Sequence, residues 1–212
     1  WIQDEDLEKA LKIPPIKERI DNVRKARMGF SDGKNLLNRC HQFREMYGDG
    51  VKKIIIPIVS SEKREYLTVG ELDLHQVLIH SANAIYNPEP YILGILSSRL
   101  HNLWVKAVGG RHEERIRYSS TLCYNTFPFP PITEKQKQEI EDASYEVLEV
   151  REMYPGKTLA DLYDPDKMPD DLREAHHNLD VIIEKCYQNK PFKDDNERLQ
   201  ILFKMYKEMT GK

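Results

Sequence analysis

The chain has 212 residues, 40% of them apolar, three cysteines and a net charge of −3. This length supports one large or two small domains with a real hydrophobic core. No apolar run approaches the roughly 18 residues of a membrane span, so no membrane partner is expected. Three distant cysteines, an odd number, argue against a disulfide framework and indicate a reducing cytoplasm.

Charge is distributed unevenly along the chain. Residues 1–130 hold 19 lysines and arginines against 16 acidic residues, whereas residues 131–212 hold 13 against 19. A polyanion should therefore meet the first part of the chain, because the acidic second part repels phosphate. The N-terminus is acidic and amphipathic, which is not typical of a signal or transit peptide. The lack of a methionine before Trp1 suggests a fragment.

Hydrophobic periodicity predicts both helices and strands in the first part of the chain. Proline and glycine positions set several boundaries, since Pro57 indicates an edge or bulged strand and Gly109-Gly110 ends a helix. The predicted elements are a helix over Pro15–Met28, a loop with a short helical piece over 29–50, strands over 52–60, 64–69 and about 84–86, a helix over Pro88–Val108, and a strand over 113–124.

The proline cluster FPFPP, residues 127–131, is the predicted domain boundary. Beyond it, Thr133 and Gln136 form a capping-box pattern that opens a helix. Two further helices are predicted, one beginning near Pro169 and one carrying Leu199 to Met209. Each has a narrow apolar stripe, so the helices must pack on one another or on the first domain. The sequence thus predicts an α+β protein, with a small mixed α/β domain followed by an α-helical domain.

Three motifs suggest chemistry but are better explained by structure. Asn87-Pro88-Glu89-Pro90-Tyr91 resembles the N-P-P-Y loop of amino-methyltransferases, yet the inserted glutamate breaks the spacing and favours a helix start. His176-His177 cannot share a metal, because adjacent helical residues point apart. The last motif is acidic and lacks calcium-loop spacing, so capping and turn formation explain it better: Asp161, Asp164, Asp166, Asp170 and Asp171.

The chain contains no catalytic constellation that we can identify. It has no Gly-x-Ser-x-Gly, no Walker-type loop and no His-Glu-x-x-His. A free-standing enzyme would need a clustered acid–base pair, and the sequence does not indicate one. Cofactor and metal sites are accordingly not expected within this chain.

The most informative pattern in the sequence is a run with charged residues at every second position. Arg111, Glu113, Arg115 and Arg117 would project from one face of an extended chain. Arginine can clamp guanine with two hydrogen bonds, and a carboxylate can accept from the cytosine amine, so such a face can read base edges. The alternative is a solvated strand face with cross-strand ion pairs. A second basic turn could hold phosphates and comprises Ser60, Ser61, Lys63 and Arg64.

Several long runs resemble the C-terminal portion of the MmeI-like family, bacterial restriction–modification enzymes that join a methyltransferase and a target-recognition domain in one chain. These runs cover most of the sequence: PPIKERIDNVRKAR (14–27), IVSSEKREYLTVGEL (58–72), YILGILSSRLHNLWVKAVGGR (91–111), RYSSTLCYNTFPFPP (117–131) and TLADLYDPDKMPDDLREAHHNLD (158–180).

The resemblance implies a separate role for each part of the chain. Residues 1–50 would be a connector, 51–130 the target-recognition domain and 131–212 the helical C-terminal domain. The partners would be double-stranded DNA and the upstream methyltransferase domain of the same polypeptide. The cofactor S-adenosylmethionine, the adenine-methylating machinery and any nuclease would lie upstream of this chain. An alternative is a protein-docking module whose helical tail packs on the methyltransferase without reading bases.

Overall fold

The structure, a computed structural model, describes residues 2–44, 46, 50–76, 78, 80–112 and 115–211, with the backbone alone described for His112. The chain divides into two compact units, Trp1–Asp49 and Gly50–Lys212. Helices and short antiparallel sheets occur together, which confirms the predicted α+β class. Within the described ranges no helix is both long enough and apolar enough to cross a membrane.

The first unit is built on two helices, α1 (Leu7–Leu11) and α2 (Pro14–Met28). Pro14 stands in the first turn of α2, where its missing N–H has no partner to lose, so this helix begins one residue before the predicted start at Pro15. The loop that follows contains the predicted helical piece, a 3-10 helix over Gly33–Arg39. Arg27 ties helix and loop together by donating, at 2.8 Å each, to the carbonyl oxygens of Leu36, Arg39 and Gln42.

The second unit opens with two three-stranded antiparallel sheets. The first, called here the isoleucine sheet, has the order β3-β1-β4 and comprises β1 (Lys53–Pro57), β3 (Gly70–Leu72) and β4 (Ala82–Tyr86). The second, called the arginine sheet, has the order β2-β6-β5 and comprises β2 (Val59–Ser61), β5 (Gly110–His112) and β6 (Arg115–Arg117).

The predicted strand over 52–60 is thus divided between two sheets. Its first half, β1, lies at the centre of the isoleucine sheet, so the edge or bulged strand predicted from Pro57 is wrong for this half, whereas its second half, β2, is an edge strand of the arginine sheet. Pro57 is tolerated because the ladder to β3 ends at Ile55, which leaves the proline with a neighbour only in β4. The single residue Ile58 joins the two sheets: its N–H donates to Ser81 O at 3.1 Å, and its carbonyl accepts from Tyr118 N at 2.8 Å.

The predicted helix over 88–108 is two helices, α3 (Tyr91–Ser97) and α4 (Arg99–Val108). Ser98 has extended backbone angles and caps α4 by accepting from His101 N. The carboxylate of Asp180 accepts from Arg99 N at 2.7 Å and so satisfies a second free N–H of the new helix start. A serine within a helical pattern gave no sign of this interruption.

The predicted strand over 64–69 is not a strand. Four consecutive residues of this segment, Tyr66 to Val69, are buried, yet the ladder of β3 begins only at Gly70. Side chains bond carbonyl groups at its two ends instead: Asn102 donates to Glu65 O at 2.6 Å, and Arg151 donates to Val69 O at 2.6 Å. The segment bends at Glu65 and Tyr66, and side chains of the helices hold it in place.

The remaining chain is helical, as predicted. It comprises α5 (Glu134–Glu152), α6 (Leu159–Leu162), α7 (Asp170–Tyr187) and α8 (Asp195–Thr210). The capping box of Thr133 and Gln136 is confirmed at the start of α5. The apolar stripes of these helices pack on one another and on α3 and α4, around a core that includes Trp104, Ile140, Leu172, Leu179, Ile183 and Leu202.

Candidate nucleic-acid interface

The charged alternation lies on a hairpin rather than on one strand. Gly110 pairs with Arg117, Arg111 with Ile116 and His112 with Arg115, so the chain reverses between β5 and β6. The predicted continuous strand over 113–124 is therefore wrong, and its second half is a π-helical turn over Ser120–Tyr124. Glu113, a predicted base reader, lies outside the described residues.

Arg115 and Arg117 share one face of the arginine sheet. They flank Ile116, which is 2% exposed and points into the core, so both arginines project outward from the central strand. Both side chains are exposed. Their partners in β2 are Ser61 and Val59, which therefore share the outer face. The sequence alone did not indicate the place of Val59 on this face, because the pairing of β2 with β6 depends on the fold.

Arg111 does not share that face. It pairs with Ile116, and residues directly opposite each other in a sheet point to the same side, which is the side away from Arg115 and Arg117. Its guanidinium forms an ion pair with Glu62 at 2.9 Å and donates to Lys106 O at 3.4 Å. The structure thus separates one of the four predicted base readers from the other two that it describes.

The predicted phosphate turn is only partly exposed. Lys63 is exposed and Ser61 is half-buried, with its hydroxyl accepting from Lys63 N at 3.3 Å. Ser60, by contrast, pairs with Ile116 and is 6% exposed, so its hydroxyl points inward and the expectation of a surface position is wrong. Arg64 is half-buried, and its N–H donates to Ser61 O at 3.3 Å to close the turn.

Two residues of α4 hold this turn from below and were not singled out from the sequence. Asn102 donates to Arg64 O at 3.2 Å, and Lys106 Nζ donates to the same oxygen at 2.9 Å. Burial, together with the nearby Arg99 guanidinium, lowers the pKa of Lys106. The i, i+4 spacing of these two residues places them on one helix face, which was the available signal.

The other motifs have the structural roles that their spacing favours. Asn87 adopts a left-handed backbone conformation (φ 49°), and the helix start follows at Tyr91, so the Asn-Pro-Glu-Pro run forms a turn. Asp161 completes a second capping box, with Thr158. His176 is fully buried and bonds Tyr163 OH at 2.7 Å. Among the described residues no cluster of three potential ligands could hold a metal.

Comparison with known proteins identifies the family to which this chain belongs. The model of the MmeI target recognition domain matches residues 1–131, and that of the MmeI C-terminal domain matches residues 132–212. The chain therefore belongs to the MmeI family and consists of its target-recognition and C-terminal domains.

Two known proteins are similar to this chain over nearly its whole length. The chain is 43% identical over 212 residues to DNA methyltransferase A of Bacillus subtilis (strain 168), with 99% of this chain and 24% of the relative covered. A solved structure of the Type IIL restriction-modification enzyme MmeI in complex with DNA matches with a TM-score of 0.91 and 34% identity over 100% of this chain. The match spans 29% of that enzyme, so the chain corresponds to about a quarter of the length of each relative.

Proposed function

We propose that this chain selects the DNA sequence on which a bacterial restriction–modification adenine methyltransferase acts. The observation that carries the proposal is the pair Arg115 and Arg117, exposed side by side on the central strand of a small antiparallel sheet. A β-ribbon fits the major groove of duplex DNA, where each arginine can donate two hydrogen bonds to a guanine edge. The solved DNA complex of the related MmeI enzyme supports the same partner.

The two arginines and the neighbouring turn would divide the work of binding. Arg115 and Arg117 would read bases, and Glu113, which lies outside the described residues, stays a predicted base reader from the sequence alone. Lys63, which is exposed at the end of β2, would contact phosphate, and Ser61 and Arg64 would support it. Phosphate contacts set affinity and register, whereas base contacts set the sequence that is chosen.

Methyl transfer belongs to the upstream domain in this proposal. The sequence has no glycine-rich strand-to-helix turn for S-adenosylmethionine, and its Asn87 run forms a turn that leads into α3. The full protein would work in the cytoplasm, where its DNA target and methyl donor occur together. A nuclease domain, where present, would also precede this chain.

Docking on the upstream methyltransferase is the second candidate role. The apolar stripes of α5 and α7 are largely buried within the chain, whereas α8 leaves Phe203 42% and Met209 55% exposed. The first unit does expose large apolar side chains, with Phe30 64%, Met28 53% and Phe43 49% exposed. These side chains suit contact with a protein partner better than contact with phosphate.

Selection of bound duplexes from a randomised DNA pool, at low salt and again near physiological salt, tests the proposal. We expect one short motif to be enriched at both salt concentrations. Arg115→Ala should then lose about 1–3 kcal/mol of discrimination at one base pair. The same preference in Arg115→Ala as in the parent would remove its assigned role. Binding without enrichment that disappears as salt rises would leave only phosphate contacts.

Absence of binding at either salt would favour the docking role. The selection would then be repeated with the chain joined to the methyltransferase part of the full protein. A motif recovered only in that form would assign recognition to the two parts together.

A further inference from the structure

Residues 64–69, called here the clamped segment, connect the arginine sheet to the isoleucine sheet. The segment follows directly on the phosphate turn of β2 and precedes β3. It belongs to no strand ladder, and Tyr66, Leu67 and Val69 are each at most 4% exposed. Such a segment needs other partners for its polar groups, because a buried carbonyl without one is costly.

Side chains from the C-terminal domain supply these partners. Arg173 of α7 forms an ion pair with the carboxylate of Glu65. Asp180, also of α7, accepts from Tyr66 OH at 2.9 Å, and the Tyr66 ring stacks on His176 with centroids 4.0 Å apart. Arg151 of α5 donates to Val69 O at 2.6 Å. The two family domains are therefore joined at both ends of the clamped segment.

These contacts lie close in sequence to the strand that pairs with Arg115. Glu65 lies four residues beyond Ser61, and Ser61 is paired with Arg115 in the arginine sheet. The carbonyls of Arg64 and Glu65 are also held by Asn102 of α4. The end of β2 is thus fixed between its sheet partner on one side and the anchored Glu65 and Tyr66 on the other.

We propose that Arg173, Asp180 and Arg151 are positioning residues for DNA recognition. The C-terminal domain fixes the clamped segment, and through it the turn and strand that flank Arg115 and Arg117. This inference rests on the proposed function of the arginine sheet. It assigns to the C-terminal domain a role in sequence discrimination without contact between that domain and the bases.

Two substitutions and one matched control test the proposal. Tyr66→Phe removes the hydroxyl group that donates a hydrogen bond to Asp180, and Arg173→Gln removes the ion pair with Glu65. Tyr154→Phe is the control, because Tyr154 OH also donates to an aspartate of α7, but to Asp171 at 2.6 Å and not to a group that bonds the clamped segment. Hydrogen exchange is measured on all chains without DNA, and discrimination is measured as the ratio of affinities for the selected duplex and a scrambled one.

We expect amides at 62–69 to exchange about tenfold faster in Tyr66→Phe and Arg173→Gln, while the core of α5 keeps the parent's rate. The discrimination ratio should fall about tenfold, with affinity for the scrambled duplex unchanged. Tyr154→Phe should match the parent in both measurements. Faster exchange throughout the unit, including α5, would indicate general destabilisation and would overturn the positioning role.

Parental exchange at 62–69 in both variants would overturn the clamp itself. Faster exchange with an unchanged discrimination ratio would overturn its link to recognition. Failure of the proposed function has a different signature, because the parent chain would then show no preferred duplex at all. That outcome would also end the link between the clamp and recognition.

Discussion

The two small sheets differ in what they present outward. Both are three-stranded and antiparallel, and both turn isoleucines into the same core: Ile54 and Ile56 from one sheet and Ile116 from the other. On the other face of the isoleucine sheet, Ile55 lies between Gly70 and Ala84 in the neighbouring strands. The arginine sheet presents Arg115 and Arg117 instead.

The comparison separates the requirements of folding from those of binding. Residues on the inner faces fill a close-packed core, where a change of volume affects stability. Arg115 and Arg117 on the outer face of the arginine sheet are exposed and can change without disturbing that core. Substitutions on the two faces should therefore affect different measurements.

The largest effect should come from the inner faces. Ile54→Ala and Ile116→Ala each remove buried methyl groups, at positions that are 0% and 2% exposed, and should each cost about 2–5 kcal/mol of unfolding free energy. Urea unfolding followed by circular dichroism measures the loss. A cost near zero at Ile116 alone would show that the arginine sheet is not part of the cooperative core.

A second effect should appear in acid, beneath the arginine sheet. His101 is fully buried and bonds Tyr118 OH at 3.1 Å, just after β6, and burial lowers its pKa to about 3. Because the folded-state pKa lies below that of the unfolded chain, the stability this neutral histidine provides is present above about pH 6.5 and is lost as pH falls towards 3. The slope should be about 1.4 kcal/mol per pH unit.

Unfolding of the parent and of His101→Gln between pH 7 and pH 4 checks this expectation. The variant should lack that share of the slope, while the buried His176 keeps its own contribution in the same direction. Asp180 acts in the opposite sense, since burial raises its pKa to about 7 and its contribution is lost as pH rises from about 4 to 7. Equal slopes in parent and variant would contradict the assignment to His101.

The smallest effect on stability, but a clear one on binding, is expected at Arg117. Arg117→Ala should change unfolding free energy by no more than about 0.5 kcal/mol. It should reduce discrimination at one base pair by about 1–3 kcal/mol. Lys190→Ala, an exposed change elsewhere in the same unit, is the control. A stability loss comparable to that of Ile116→Ala would break the distinction between the two faces.

Much of the fold could be predicted because its signals are local. Pro14, the capping box at Thr133 and the apolar stripe of α7 each specify an element within a few residues. The break at Ser98 could not be predicted, because it depends on Asp180, 82 residues away in sequence. The clamped segment has the composition of a strand, but its partners are helix side chains, which only the tertiary structure brings near.

The candidate site could be predicted in composition but not in geometry. Alternation from Arg111 to Arg117 is compatible with one strand, and the sequence of this run contains no glycine or asparagine to signal a hairpin. The hairpin moves Arg111 to the opposite face and leaves Arg115 and Arg117 together. Ser60 became buried for a related reason, since its pairing with Ile116 sets which side of β2 faces inward.

The two backbone hydrogen bonds of Ile58 affect the entropy that is lost when a ligand binds. Its N–H and carbonyl are both bonded, one towards each sheet, so the strands that meet there cannot pivot without losing a hydrogen bond. A surface built in this way is preorganised, and little conformational entropy remains to be lost when a ligand binds. Association should consequently proceed as the docking of a rigid body, with its selectivity already set in the free protein.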